Sequence, residues 1–244
     1  MQNLKYIFIC LFFTLFVQIT DSQGQSHFAQ KADSLFSEKK YQEAANLYTD
    51  LIKKHDINKG LAYLKLAYIH ENQGEFSLAI YYLNEYHKLH PDEKVFDKIN
   101  QMAAENGFQG YGQSDLNFFS LIVQKNTVWV LLIATLIITY SFVILFLKRN
   151  KNITIPRAHK VSLTLGILAV LLVINFPKVY KTGIINKKEA FVREMPAAAA
   201  GVVETLSEGS KVNIIGKKDI WLKLWEDGKI RYIKENDLWI IGQE

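Results

Sequence analysis

The sequence predicts a multi-domain chain: an α-helical repeat solenoid, two transmembrane helices and a C-terminal all-β barrel. Three observations carry that prediction. The region after Gln25 matches itself at an offset of 35 residues. Two charge-free apolar runs follow, separated by a short basic loop. From Lys188 onward the apolar period changes to two, with turn residues closely spaced. Hydrophobic residues make up 49% of the 244 positions, but they concentrate in the apolar runs, and the segments between read as ordinary soluble protein.

At the N-terminus, Lys5 precedes an apolar stretch from Tyr6 to Val17, and polar Gln18, Thr20, Asp21, Ser22 and Gln23 follow. That order describes a secretory signal peptide over residues 1–22, cleaved between Thr20 and Gln25. The stretch falls short of the roughly 20 residues a spanning helix needs; an uncleaved signal anchor is the alternative. The single cysteine, Cys10, lies inside it. A processed chain would therefore carry no thiol, which suits an oxidising compartment.

Residues 26–106 form the repeat region. At the offset of 35, Phe28 meets Tyr63, Ala32 meets Ala67, Tyr41 meets Phe76, Ala44 meets Ala79, Tyr48 meets Leu83 and Leu51 meets Tyr86. Small residues at two fixed positions let paired helices approach closely, while large ones fill the space between neighbouring pairs, so the pattern predicts stacked helix-turn-helix units. A further helix from Val95 to about Asn106 caps the stack. Here the sequence resembles the tetratricopeptide family, most closely in the second copy with Leu66-Ala67, Gly74-Glu75-Phe76, Ala79 and Pro91. The first copy has Lys39 where a turn glycine is usual. The resemblance implies a module without chemistry of its own that presents a concave surface to other proteins. By the family's pattern that surface would carry Ala29 and Asp33 from the first copy and Leu64, Tyr68, Glu71 and Asn72 from the second. The lysine and asparagine with which some members clamp a peptide carboxylate are absent at matching positions, so carboxylate capture is not expected.

Residues 107–126 read as a linker, marked by Gly107, Gly110 and Gly112, that leads into an apolar stretch with Leu116, Phe118, Phe119, Leu121, Ile122 and Val123. This is either an interfacial helix on the bilayer or an extension of the first span. That span, 127–147, has no charge and 14 Leu, Ile, Val or Phe residues, and at about 1.5 Å per residue it covers roughly 31 Å. The second, 161–180, starts with an apolar run that ends at Phe176 before Pro177 and Lys178. Between them, 148–160 holds Lys148, Arg149, Lys151, Arg157 and Lys160 and no acid. The positive-inside rule makes that loop cytoplasmic and predicts a multi-pass bacterial inner-membrane protein with both soluble domains in the periplasm.

The last element, 187–242, shows Ala190 and Val192 alternating with Phe191 and Arg193, then β-rich Lys211–Ile215, Ile220–Trp225 and Ile230–Ile233. Gly209, Gly216 and Asp227-Gly228 punctuate them. Strands and turns this close predict a closed barrel. The residues resemble the bacterial SH3 family: Ala190-Phe191-Val192-Arg193, Pro196, Leu206-Ser207-Glu208-Gly209, Val212, Trp221, Leu224, Asp227-Gly228 and Leu238, with Arg231-Tyr232-Ile233 where Gly-Trp-Val is typical. Trp221, Lys223 and Trp225 share one strand face. They form an aromatic binding patch with Tyr232 and Trp239, or two of them fill a small core. The resemblance implies binding of cell-wall peptides or proteins.

The formal charge of +5 is local to the membrane flanks. Ser26 to Glu105 holds 10 basic against 12 acidic residues, and Thr182 to the end holds 10 against 10. The basicity is thus a topology signal and predicts no nucleic-acid partner. No nucleophile elbow, P-loop, zinc-protease or dinucleotide motif occurs. His87 and His90 stand three apart, but no third ligand lies near in sequence. No catalytic residue, cofactor or metal is expected. The order of domains resembles the BatE-type proteins of aerotolerance (Bat) operons. That resemblance implies a non-catalytic protein-protein scaffold or accessory subunit of an envelope complex, with membrane partners such as von Willebrand A-domain Bat proteins. Alternatives are a peptidoglycan-binding anchor acting through the barrel and a membrane sensor with the barrel in the cytoplasm.

Overall fold

The computed structural model describes residues 27–54, 57–111, 115–150, 157–179, 181–226 and 228–242. The expected signal peptide and residues 151–156 of the basic loop lie outside them.

The helical region contains α1 (His27–Ser37), α2 (Tyr41–Lys53), α3 (Lys59–Asn72), α4 (Phe76–Leu89) and α5 (Glu93–Glu105). Local chemistry sets several of these ends. Asn58 caps α3 by accepting from the Leu61 N–H at 3.2 Å, and Asp92 caps α5 by accepting from the Lys94 N–H at 2.8 Å. The alanines paired by the repeat are all buried: Ala32, Ala44 and Ala79 at 0% exposure and Ala67 at 2%. They lie at the crossings of α1 with α2 and of α3 with α4, where any larger side chain would separate the backbones. The turn within each hairpin needs one left-handed residue, supplied by Lys39 (φ 60°) and by Gly74 (φ 77°).

Two helices follow, α6 (Asp115–Asn150, 36 residues) and α7 (Arg157–Val179, 23 residues). The apolar segment around Phe118 is thus helically continuous with the stretch after Thr127. Among the described residues one helix, over Leu131–Asn150, is long and apolar enough to cross a membrane. This corrects the expectation of two such spans. α7 forms and packs on α6, yet Ser162, Thr164, Gly166, Asn175, Pro177 and Lys178 dilute its apolar character.

The C-terminal region is one antiparallel sheet of seven strands: β1 (Lys181–Ile185), β2 (Glu189–Arg193), β3 (Val202–Ser207), β4 (Lys211–Lys218), β5 (Trp221–Glu226), β6 (Lys229–Lys234) and β7 (Leu238–Ile240), with spatial order β3-β2-β6-β5-β4-β1-β7. It curls around Ile185, Val192, Leu206, Ile214, Leu222, Leu224 and Ile233, helped by bulges at Val192/Arg193 and Ile214/Gly216. The sheet is not closed, which corrects the expected barrel. β7 pairs with β1 alone and β3 with β2 alone. The chain end that would meet β3 turns instead to the helices. Ile241 is buried among Ala67, Ala79, Ile80, Leu83, Ile99, Met102 and Ala103, together with Ile184 of β1.

Candidate functional site

That shared cluster joins the helical region and the sheet through one stripe of α4. Ser77, Tyr81, Asn84, Glu85 and Lys88 recur at helical spacing, and each meets the sheet region. The Ser77 hydroxyl donates to Glu208 at 2.7 Å, and Tyr81 packs on Trp239 with ring centroids 5.5 Å apart. The Lys211 ammonium lies 3.4 Å from Asn84 Oδ1. Glu85 accepts from the Gly242 N–H at 2.7 Å, and Lys88 donates to the Ile241 carbonyl at 3.2 Å. Asn84 and Glu85 are 7% and 4% exposed, so their polar groups depend on these partners.

Residues 107–111 complete the seam. The Lys211 N–H donates to the Gln109 carbonyl at 2.9 Å, and Tyr111 donates to the Gly209 carbonyl at 2.8 Å. The Phe108 ring lies so close over Gly209 (φ +82°) that a Cβ there would sit 2.6 Å from it. Burial shifts the titrating groups here. It lowers Lys211 to about 8 and raises the Tyr81 and Tyr111 hydroxyls. His87 is lowered, first by burial and then by the Lys211 charge.

The residues expected on the concave face separate into two roles. Asp33 accepts from Tyr48 at 2.6 Å and pairs with Lys65 at 2.5 Å, while Glu71 pairs with Lys98 at 2.6 Å. These ion pairs stitch α1 to α3 and α3 to α5, so both acids are used within the stack. Leu64 is half-buried against the seam cluster. Tyr68 is 48% exposed and sits in an aromatic group with Phe36 at 5.6 Å and Tyr41 at 6.2 Å. Asn72 is exposed, its amide donating to the Tyr68 carbonyl at 2.7 Å. Tyr68 and Asn72 are therefore the surface residues of that set.

Residues 61–93 match the tetratricopeptide repeat family. This chain therefore carries a tetratricopeptide-like repeat over α3 and α4, followed by an antiparallel sheet. Repeats of this type are generally protein-interaction modules without catalysis. No curated protein matches the chain.

On the sheet, the register brings three of the expected residues together. Trp221 stands opposite Lys234, Lys223 opposite Tyr232 and Trp225 opposite Ile230. Directly paired residues share a face, so Trp221, Trp225 and Tyr232 line the side away from Leu222 and Leu224. Trp221 is nonetheless buried at 5% with the Lys234 ammonium 5.8 Å from its ring centroid, while Trp225 is 40% exposed. Trp239 is not part of this patch; it lies at the seam against Tyr81. The His87 and His90 rings take separate partners: His87 packs on Phe96 and His90 on Tyr86. Among the described residues no three His, Cys, Asp or Glu side chains converge as a metal site.

Sequence reasoning missed the α4 stripe, because its partners lie 127 to 158 positions away. A usable signal was the apolar Trp239-Ile240-Ile241 run at the chain end, more than one short edge strand needs.

Proposed function

We propose that this protein is a membrane-anchored interaction scaffold, an accessory subunit of a bacterial envelope complex of the Bat type, with both soluble regions in the periplasm. The observation that carries the reading is the shared core. Residues 27–111 and 181–242 are covalently joined through α6 and α7, yet Ile184 and Ile241 pack among side chains of α3, α4 and α5. Two regions that share a core lie on one side of a bilayer, so the chain between them must leave and return. In this reading α6 crosses, and α7, which packs on it but is not by itself apolar enough to count as a span, carries the chain back. Leu136 and Ile137 on α6 and Leu165 and Leu168 on α7 present 52–69% of their surface outward, a large cost in water and a gain in lipid. The five cations of 148–160 favour the cytoplasm for the bend.

In this reading the exposed Tyr68, Asn72 and the Phe36–Tyr41 pair receive a membrane-protein partner, von Willebrand A-domain Bat proteins being the class the domain order suggests. Photocrosslinking from position 68 of the full chain in its membrane should give one discrete adduct that Tyr68→Ala weakens at neighbouring positions. Adducts spread evenly over position 68 and over α1, α3 and α5 would contradict it. A second reading rests on the Trp221–Trp225–Tyr232 face, where Trp225 is 40% exposed and suits a cell-wall fragment. Binding of muropeptides by the full chain, lost with Trp225→Ala, would favour that anchor role.

A further inference from the structure

We infer that the β4–β5 hairpin tip is a lipid-binding element that rests on anionic phospholipid at the foot of the membrane helices; this rests on the membrane reading of α6 and α7 given above. The placement follows from register. α7 ends at Val179 and β1 begins at Lys181, so the sheet starts within two residues of the anchor. Lys181 pairs with Ile214, and β4 runs antiparallel to β1. The residues after Ile214 therefore run back past the start of β1 toward the end of α7, and β4 packs against α7.

What lies at that end has the chemistry of an interfacial anchor. Lys217 pairs with Leu222 and Lys218 with Trp221, which leaves Asp219 and Ile220 as a two-residue turn with Asp219 at φ 57°. Ile220 is 53% exposed at the tip. Its carbonyl accepts from the Glu235 N–H at 2.9 Å, while its β-branched apolar side chain is held outward on the turn. Beside it stand Lys217, Lys218 and Lys234 against two acids, Asp219 and Glu235. Lys217 already holds Glu235 at 2.6 Å. The Lys234 ammonium is drawn over the Trp221 ring, which leaves Lys218 as the lysine beside the apolar tip. An exposed apolar residue flanked by cations suits the boundary between acyl chains and phosphates: the side chain enters the hydrocarbon edge and the ammonium groups face the headgroups. Each such cation near an anionic surface contributes about a fivefold preference for it. The consequence is orientational. With its tip seated, the sheet is fixed relative to the bilayer at two points, the start of β1 and the hairpin, and the helical region docked on it presents Tyr68 at a set height and angle.

The test uses the full chain with Cys10→Ser, reconstituted in phosphatidylcholine vesicles with or without about a third phosphatidylglycerol, and an environment-sensitive label on Ile220→Cys. Spin labels at a shallow acyl position report contact with lipid. Two other labelled sites serve as references: Lys229→Cys at the opposite end of the same strands, and Leu136→Cys in α6. The expected result is strong quenching at 220, at least about threefold that at 229, falling about two- to fivefold when phosphatidylglycerol is omitted or Lys218→Glu is added. Quenching at 220 no greater than at 229, with 136 quenched by deep labels, would overturn this inference and leave the membrane reading standing. Quenching at 220 that ignores both lipid charge and Lys218→Glu would overturn anionic lipid as the ligand. Loss of quenching at 136 would sink the membrane reading and the tip assignment with it.

Discussion

The two helical hairpins are built alike and used differently. Each buries a pair of alanines at its crossing and turns through one left-handed residue. The second hairpin is covered by α5 and, along α4, by the sheet and the strap before α6. Among the described residues the first has α3 on one side only, and it keeps Lys39 in a backbone conformation that glycine adopts freely at Gly74. The same fold thus serves as an inner, docked unit and an outer, open one. The aromatic group of Phe36, Tyr41 and Tyr68 lies where the two meet, on the uncovered side.

Mutations at matching depths should separate these roles. The largest effect is expected from Ile80→Ala, which removes a fully buried side chain from the cluster shared with Ile184 and Ile241. It should cost about 2–4 kcal/mol and speed hydrogen exchange at the Ile184 and Ile241 amides. Leu51→Ala in the first hairpin should cost about as much yet leave exchange at those two amides unchanged. Equal loosening at both places would show the molecule to be one indivisible unit and erase the distinction.

Next in size is Gly209→Ala. A methyl there meets the Phe108 ring at 2.6 Å on a backbone with φ +82°, for an expected loss of about 2–3 kcal/mol and faster proteolysis between residues 106 and 111. Gly74→Ala, with nothing within 4 Å of its added carbon, should carry only the left-handed cost of about 1 kcal/mol. Of similar size is Lys39→Gly, which should stabilise the first hairpin by about 1 kcal/mol, with Gly74→Lys losing a similar amount; chemical denaturation reads both.

A separate effect concerns pH. Lys211 is lowered in the folded state from an ordinary 10.5 to about 8 by burial. The unfolded chain therefore holds more protons between those values, and stability at the seam rises as pH climbs from 8 toward 10.5 and is lost as pH falls through 8. Lys211→Met should flatten that rise in melting temperature. His87, also lowered, adds a second loss in the acid range as pH drops below 6.5 and through its folded value, which His87→Phe should remove.

Much of this architecture was legible in the chain itself. The offset of 35 placed Ala32, Ala44, Ala67 and Ala79 correctly because close helix crossings tolerate little else. The alternation around Ala190 and Val192 located β2, where both residues are buried and Phe191 is 44% exposed. β1 was hidden because Gly183-Ile184-Ile185 reads as the tail of an apolar run, and β1 is the strand that carries the sheet into the helical core. The open sheet was illegible for a related reason: closure depends on where Ile241 goes, and its partners are on α4 and α5. Glu71 and Asp33 looked like free acids on a binding face, since nothing local indicates that Lys98 and Lys65 reach them from the next helix. Tyr68 and Trp225 stayed on the surface, at 48% and 40% exposed, Tyr68 within the aromatic group of Phe36 and Tyr41.

The central claim is that both soluble regions sit together on the outer face of one membrane. With Cys10 replaced, Glu43→Cys in α2, Asn152→Cys in the basic loop and Asn236→Cys after β6 can each be exposed to a membrane-impermeant thiol reagent in cells whose outer membrane is permeabilised. The account predicts equal labelling at 43 and 236 and none at 152 until the inner membrane is dissolved. Labelling at only one of 43 and 236, with the other protected, would contradict it.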